Sequence, residues 1–194
     1  MAPRLTDRER RVGYGMLLTM PGVPFLYYGD EIGMRYREVP TVEGGYARTG
    51  SRAPMQWNAE PNAGFSTADK DSLYLPVDPS PDAPTVEGQL ADDGSMVHWI
   101  MDLLRLRSEH AALRSNAGFS PVAAPGDGRL FAYRRDSRNG DEHLLVALNP
   151  GLDEESFELP GHAEAPRALL SEGTVDVGSG RVRMGAQSFA VIAL

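Results

Sequence analysis

The stretch Thr19-Met20-Pro21-Gly22-Val23-Pro24-Phe25-Leu26-Tyr27-Tyr28-Gly29-Asp30-Glu31-Ile32-Gly33-Met34 sets the fold expected of this chain. Pro21-Gly22 stops any helix that reaches it. Val23 to Tyr28 is then an unbroken apolar run, which suits a strand buried on both faces, as in a parallel sheet. Pro24 is tolerable there only at the strand's first residue or at an edge. Upstream, Thr6-Asp7-Arg8-Glu9 has the form of a capping box, in which the Thr6 hydroxyl covers the Glu9 amide and the Glu9 side chain reaches back. The helix it starts has Leu5, Val12, Met16 and Leu17 among its apolar positions. Helix, tight turn and buried strand make one αβ step. Asp30 and Glu31 follow at the strand's end, where neighbouring side chains point to opposite faces and do not pair across one bond.

Residues 35–94 are interrupted by Pro40, Pro54, Pro61, Pro76, Pro79, Pro81 and Pro84, with glycines between them. A stretch of this length without periodicity is functional or disordered. Tyr46, Arg48, Arg52, Trp57, Phe65 and Tyr74 argue for an ordered, substrate-facing loop. Ser95 caps a second helix, expected to run to about His110, with Val97, Ile100, Leu103, Leu104 and Arg107 on one stripe and Met96 and Met101 in its packing.

Beyond residues 112–118 the pattern turns to alternation. Leu130–Arg135 and His143–Asn149 read as strands around an Asn139-Gly140 hairpin turn. Short strands follow at Ser156–Leu159, Arg167–Leu170, Val175–Val177, Arg181–Met184 and Gln187–Leu194, with a turn at Gly178-Ser179-Gly180. Together they suggest a small antiparallel sandwich.

Composition narrows the function. A net charge of −8 disfavours nucleic acid and an anionic membrane. The absence of cysteine excludes disulfides, thiolate nucleophiles and Cys-ligated zinc. His98, His110, His143 and His162 show no metal spacing. The polar N-terminus carries no signal-peptide core and no apolar run reaches about 18 residues, so a cytoplasmic location is expected unless the start is truncated.

The Thr19–Met34 segment resembles the eighth-strand region of glycoside hydrolase family 13, the α-amylase family. Arg52-Ala53-Pro54-Met55-Gln56-Trp57, followed by Asn62-Ala63-Gly64-Phe65-Ser66, is similar to the loop of its oligo-1,6-glucosidase, α-glucosidase and trehalose synthase branch. The Leu103-Leu104-Arg105-Leu106-Arg107 helix resembles the last barrel helix. Phe131–Tyr133 and Leu144–Pro150 resemble the start of the trailing domain. The resemblance implies an α+β chain: residues 1–112 as the terminal helix–strand–loop–helix of a (β/α)₈ barrel, and residues 113–194 as a β-sandwich. A whole barrel takes about 250 residues.

The family's chemistry is a double displacement by two carboxyl groups about 5–5.5 Å apart. By resemblance, the nucleophilic Asp, the acid/base Glu and the Asn-His-Asp aspartate all lie upstream of the eighth strand. No Asn-His-Asp occurs here, and no catalytic residue is assigned. Arg52 matches the arginine that closes the pocket around a terminal glucose, where a guanidinium's fixed fork grips a carboxylate or two hydroxyls. A loop arginine bonded to backbone carbonyls is the alternative. Ala53 stands where the family usually has Thr. Trp57 and Phe65 either stack on sugar faces or, the favoured reading, pack the loop down. Glu31, Asp30 and Tyr28 are expected to be structural near the site, with Tyr27 and Tyr28 in the barrel core. No metal and no cofactor are expected.

The implied substrate is an α-linked glucose oligosaccharide, hydrolysed or transferred. The chain alone is expected to be inactive. Two other readings stay open: a non-catalytic sugar-binding or stabilising sandwich module, and one half of a split enzyme whose missing barrel portion is a separate chain.

Overall fold

The structure is a computed structural model and describes residues 5–39, 47–123, 128–159, 166–178 and 180–194, with the side chains of residues 47 and 48 excepted. Tyr46, the Arg48 side chain, His162 and Ser179 of the expected 178–180 turn lie outside the described residues. The chain divides into two compact units, Met1–Pro24 with Met101–Leu194, and Phe25–Ile100.

In the first unit, helix α1 spans Asp7–Thr19 and begins at the expected capping box: the Thr6 hydroxyl accepts from the Glu9 amide, and the Glu9 carboxylate accepts from the Thr6 amide at 2.7 Å. Its buried face is Val12, Gly15, Leu18 and Thr19. Leu5 and Leu17, expected on the apolar side, are exposed. Gly15 is what lets the helix approach: a Cβ there would sit 2.7 Å from the Phe189 ring.

Eight strands follow: β1 Gly118–Ala123, β2 Phe131–Asp136, β3 His143–Asn149, β4 Glu155–Glu158, β5 Arg167–Glu172, β6 Val175–Val177, β7 Arg181–Met184 and β8 Ser188–Ala193. All pair antiparallel, in a five-stranded sheet β1-β2-β3-β8-β5 and a three-stranded sheet β4-β7-β6. Only β1 has no counterpart in the strands expected from the sequence. At the β2–β3 turn Gly140 takes the left-handed conformation (φ 79°) and Asn139 does not.

The two sheets share one core. Ala132 of β2, Leu145 and Ala147 of β3 and Ile192 of β8 meet Phe157, Val182 and Met184 from the smaller sheet. The other face of β3 is covered as well, so Leu144 through Leu148 are all buried. Period-2 alternation is lost where both faces of a strand are covered.

The C-terminal end of α1 leaves carbonyls that need donors. Its last turn has no basic residue. Two arginines from elsewhere supply the donors. Arg107 donates to the carbonyls of Leu18 at 2.6 Å, Met20 at 3.0 Å and Gly22 at 2.7 Å. Arg135, 0% exposed, donates to those of Thr19, Arg114 (2.7 Å) and Gly118 (2.9 Å). Beside it the Tyr133 hydroxyl shares a 2.6 Å hydrogen bond with the Thr19 hydroxyl, and burial pushes the Tyr133 phenol up to about 12.

The segment expected to be a buried strand is not one. Residues 23–27 form neither helix nor strand, with Val23 74% and Phe25 86% exposed. Tyr27 and Tyr28, expected in a core, are also exposed. A parallel strand is buried only by strands on either side, and none of the described strands pairs with this one.

Helix α3, Met96–Glu109, ends where expected. Its buried positions are Met96, Trp99, Ile100, Leu103 and Leu106, whereas Met101 and Leu104, expected to pack, are exposed. At its start the Ser95 hydroxyl donates to the Gln89 carbonyl at 2.7 Å, and the Gln89 side-chain oxygen accepts from the Val97 amide at 3.2 Å.

Candidate functional site

Within the second unit, Asp30 and Glu31 sit on a 3₁₀ turn, Asp30–Ile32, rather than at a strand end. Each carboxylate is committed to backbone. Asp30 accepts from the Tyr27 amide at 3.0 Å, and Glu31 from the Gly29 amide at 2.8 Å. Gly29 and Gly33 take positive φ on either side, which makes the turn tight. This geometry fixes the direction of Tyr28, whose hydroxyl donates to the Ala53 carbonyl at 3.2 Å. Burial raises the Tyr28 phenol above its ordinary value, with Tyr27 beside it adding to the rise and Arg52 opposing it.

The Arg52–Trp57 segment is held by neighbours far along the chain. The short helix α2, Val86–Leu90, opens with a Thr85 cap whose hydroxyl accepts from the Gly88 amide. Its first amides, Val86 and Glu87, donate to the carbonyls of Gln56 and Trp57 at 2.9 Å each. The buried Gln56 amide group donates to the Pro84 carbonyl. The Trp57 amide donates to the Ala63 carbonyl at 2.8 Å across a turn in which Asn62, Ala63 and Gly64 all have positive φ. Among the described residues two other loop arginines are bonded: Arg35 forks onto the Asp82 carboxylate at 2.9 and 2.7 Å, and Arg37 donates to the Val77 carbonyl.

These segments enclose a cavity of about 420 Å³. Tyr28, Glu31, Arg52, Trp57 and Phe65 of the expected site residues line it, and Asp30 does not. Leu73, Tyr74 and Leu75 complete the wall with Pro54 and Met55. The volume falls in the small-ligand range of about 300–1,000 Å³. Trp57 and Phe65 are each 49% exposed, so neither is a buried anchor of the loop. Among the described residues the Arg52 guanidinium has no carboxylate within ion-pair distance, and its backbone amide donates to Thr49. The wall therefore offers one cation, one backbone-bonded carboxylate, a phenol and three further aromatic rings. It can hold a neutral polar ring by its faces and grip hydroxyls or an anion with Arg52. The described residues contain no cluster of three metal-ligating side chains and no helix long and apolar enough to cross a membrane.

The Leu73–Leu75 wall was not legible as a site in the sequence. Its signal is Tyr74, an aromatic between two leucines in a proline-rich stretch.

The family profile described as the catalytic domain of α-amylase matches residues 6–116, more than half of the chain. The chain belongs to the α-amylase family. Within that family it is 34% identical over 187 residues to the trehalose synthase/amylase TreS of Mycobacterium tuberculosis, covering 86% of this chain and 30% of the relative. It is 29% identical over 180 residues to a probable oligo-1,6-glucosidase 2 of Bacillus subtilis, covering 78% of this chain and 31% of the relative. The crystal structure of the trehalulose synthase MutB of Pseudomonas mesoacidophila shares the fold, with a TM-score of 0.79 at 23% identity over 98% of this chain and 39% of that one. This member of the α-amylase family thus spans about a third of the length of these relatives, and combines helices with two antiparallel sheets.

Proposed function

We propose that this chain forms the terminal part of a retaining enzyme acting on α-linked glucose oligosaccharides, and that the Arg52 cavity is one wall of its sugar site. On this reading residues 1–112 are the end of a (β/α)₈ barrel and residues 113–194 its stabilising sandwich. The observation that carries it is the convergence of Tyr28, Arg52, Trp57 and Phe65, from segments up to 37 residues apart, on one cavity. A guanidinium with no carboxylate partner among the described residues, set among half-exposed rings, suits a glucose unit held by its hydroxyls and faces. The sandwich offers less for sugar: Tyr133, Phe157 and Phe189 are buried in it.

Double displacement needs a nucleophile and an acid/base. Asp30 and Glu31 are committed to backbone amides, so the reacting carboxylates come from sequence beyond these 194 residues. The chain alone is then expected to release no glucose from maltose or isomaltose. Mixed with the part of the Mycobacterium tuberculosis relative that precedes the matched region, it is expected to regain turnover. Glucose as product indicates hydrolysis, and trehalose from maltose indicates transfer. Turnover by the chain alone, or none by a correctly assembled mixture, contradicts the proposal.

A further inference from the structure

We propose that Gln56 is a positioning residue: its buried side chain and the capped start of helix α2 form a bracket that holds the Arg52–Trp57 wall in the shape that meets the sugar. This rests on the sugar reading of the cavity and adds to it what sets the geometry of that wall. Neither Gln56 nor α2 lines the cavity, so both act through the residues that do.

Arg52 and Trp57, both exposed, are joined by four buried residues, Ala53 to Gln56. Of these four, Gln56 alone has a side-chain N–H donor, and it is 2% exposed. Burying such an amide costs free energy unless it is bonded. Its partner is the Pro84 carbonyl, 28 residues further along the chain. Pro84 leads into Thr85, whose hydroxyl accepts from the Gly88 amide at 3.1 Å and starts α2. The first two amides of α2 then return to the wall, Val86 to the Gln56 carbonyl and Glu87 to the Trp57 carbonyl, at 2.9 Å each. Such amides have no partner inside a helix, so wall and helix satisfy each other.

The bracket is itself anchored. At the far end of α2, the Gln89 carbonyl accepts from the Ser95 hydroxyl and its side-chain oxygen from the Val97 amide. Met96, Trp99 and Ile100 are buried, so α2 hangs from the packed start of α3. The other end of the wall is held by the Tyr28 hydroxyl on the Ala53 carbonyl and by the Arg52 amide on Thr49. A substrate misplaced by about 1 Å loses about 10²-fold in rate, so releasing one end of this wall reaches the residues that grip.

Gln56→Met keeps the length of the side chain and removes the donor to Pro84. Thr85→Ala removes the cap of α2 at a residue outside the cavity, and Thr85→Ser keeps it. Two readouts are compared. In the nitrogen-labelled full chain, the Arg52 Nε and Trp57 indole signals are expected to shift in Gln56→Met and Thr85→Ala and to return in Thr85→Ser. The Arg135 Nε signal, from the other unit, is expected to stay and certifies the fold. In maltose turnover by the chain assembled with the preceding part of its mycobacterial relative, KM is expected to rise roughly 2- to 12-fold in the first two variants, the size of one lost hydrogen bond, and Thr85→Ser to restore it. A merely structural role lowers the amount of folded enzyme, and with it the apparent kcat, at unchanged KM and unshifted signals. Unshifted signals or an unchanged KM in Thr85→Ala overturns the bracket, whether or not Gln56→Met folds, while the turnover leaves the sugar reading standing. No maltose turnover by the assembled, unsubstituted chain overturns both.

Discussion

The Tyr28 hydroxyl donates to the Ala53 carbonyl at 3.2 Å, and so ties the Gly29–Gly33 turn to the residue that follows Arg52. Tyr28 and Arg52 line the same cavity. Removing the hydroxyl frees a carbonyl beside the guanidinium's own backbone. Tyr28→Phe is expected to cost about 0.5 kcal/mol, the low end for a hydrogen bond, because the site is half-exposed. Hydrogen exchange checks it: the Arg52 amide, bonded to Thr49 at 3.0 Å, is expected to exchange faster in the variant, and equal rates would count against the tie.

The packing of α1 on β8 rests on the missing side chain of Gly15. A Cβ there meets three atoms of the Phe189 ring at 2.7–2.9 Å, and that ring is fully buried. Gly15→Ala is expected to destabilise by about 1–3 kcal/mol despite alanine's better helix propensity. Gly13→Ala, with nothing within 4 Å of its Cβ, is expected to be neutral or to stabilise by up to about 1 kcal/mol. Urea melts of the two variants should move in opposite directions or differ clearly in size.

Arg135 is a buried cation without a carboxylate partner among the described residues, bonded to three backbone carbonyls. Arg135→Met keeps length and apolar volume but strands the carbonyls of Thr19, Arg114 and Gly118. The expected loss is about 3 kcal/mol or more, from several unsatisfied acceptors. Arg134→Met, on the partly exposed face of the same strand, serves as control and should cost far less.

One hairpin makes stability depend on acid pH. The Glu142 carboxylate accepts from the Ala112 amide at 2.7 Å and meets His110 Nδ1 at 2.5 Å. Burial alone pushes its carboxyl up, but these hydrogen bonds and the histidine outweigh it and hold it below the usual range. Asp136 is lowered in the same way: burial raises it, and Arg134 and His143 prevail. A depressed carboxyl stabilises the fold above its unfolded value of about 4 and loses that contribution as pH falls through the folded value. Denaturant melts should thus weaken below about pH 4, with a shallower slope in Glu142→Gln. An unchanged slope would exclude Glu142 as a source.

What was legible in the sequence is what neighbouring residues settle among themselves. The Thr6–Glu9 box needs four residues, and it stands as read. Strands β3, β6 and β7 begin and end where alternation and turns put them, because antiparallel partners lie close along the chain. Arg135 could not be foreseen, since its burial depends on carbonyls from Thr19 and Arg114 that the fold brings to it. The composition of the apolar run 23–28 suits burial, yet covering it takes strands that the described residues do not supply. In α3 Leu104 and Leu106 both fit a three-to-four spacing, and packing buries Leu106 and leaves Leu104 exposed. Helix α2 was hidden by its five residues and central Gly88. Arg52, Trp57 and Phe65 were found through resemblance, whereas Tyr74 joins them only through the folded loop.

The most direct measurement is maltose turnover by the chain assembled with the preceding part of its mycobacterial relative, compared between Arg52 and Arg52→Ala. If this cavity holds the terminal glucose, kcat/KM falls roughly 10²-fold, the cost of a misplaced substrate, and Arg52→Lys recovers only part of it. Equal kcat/KM for the two proteins, with both correctly assembled, would contradict the account.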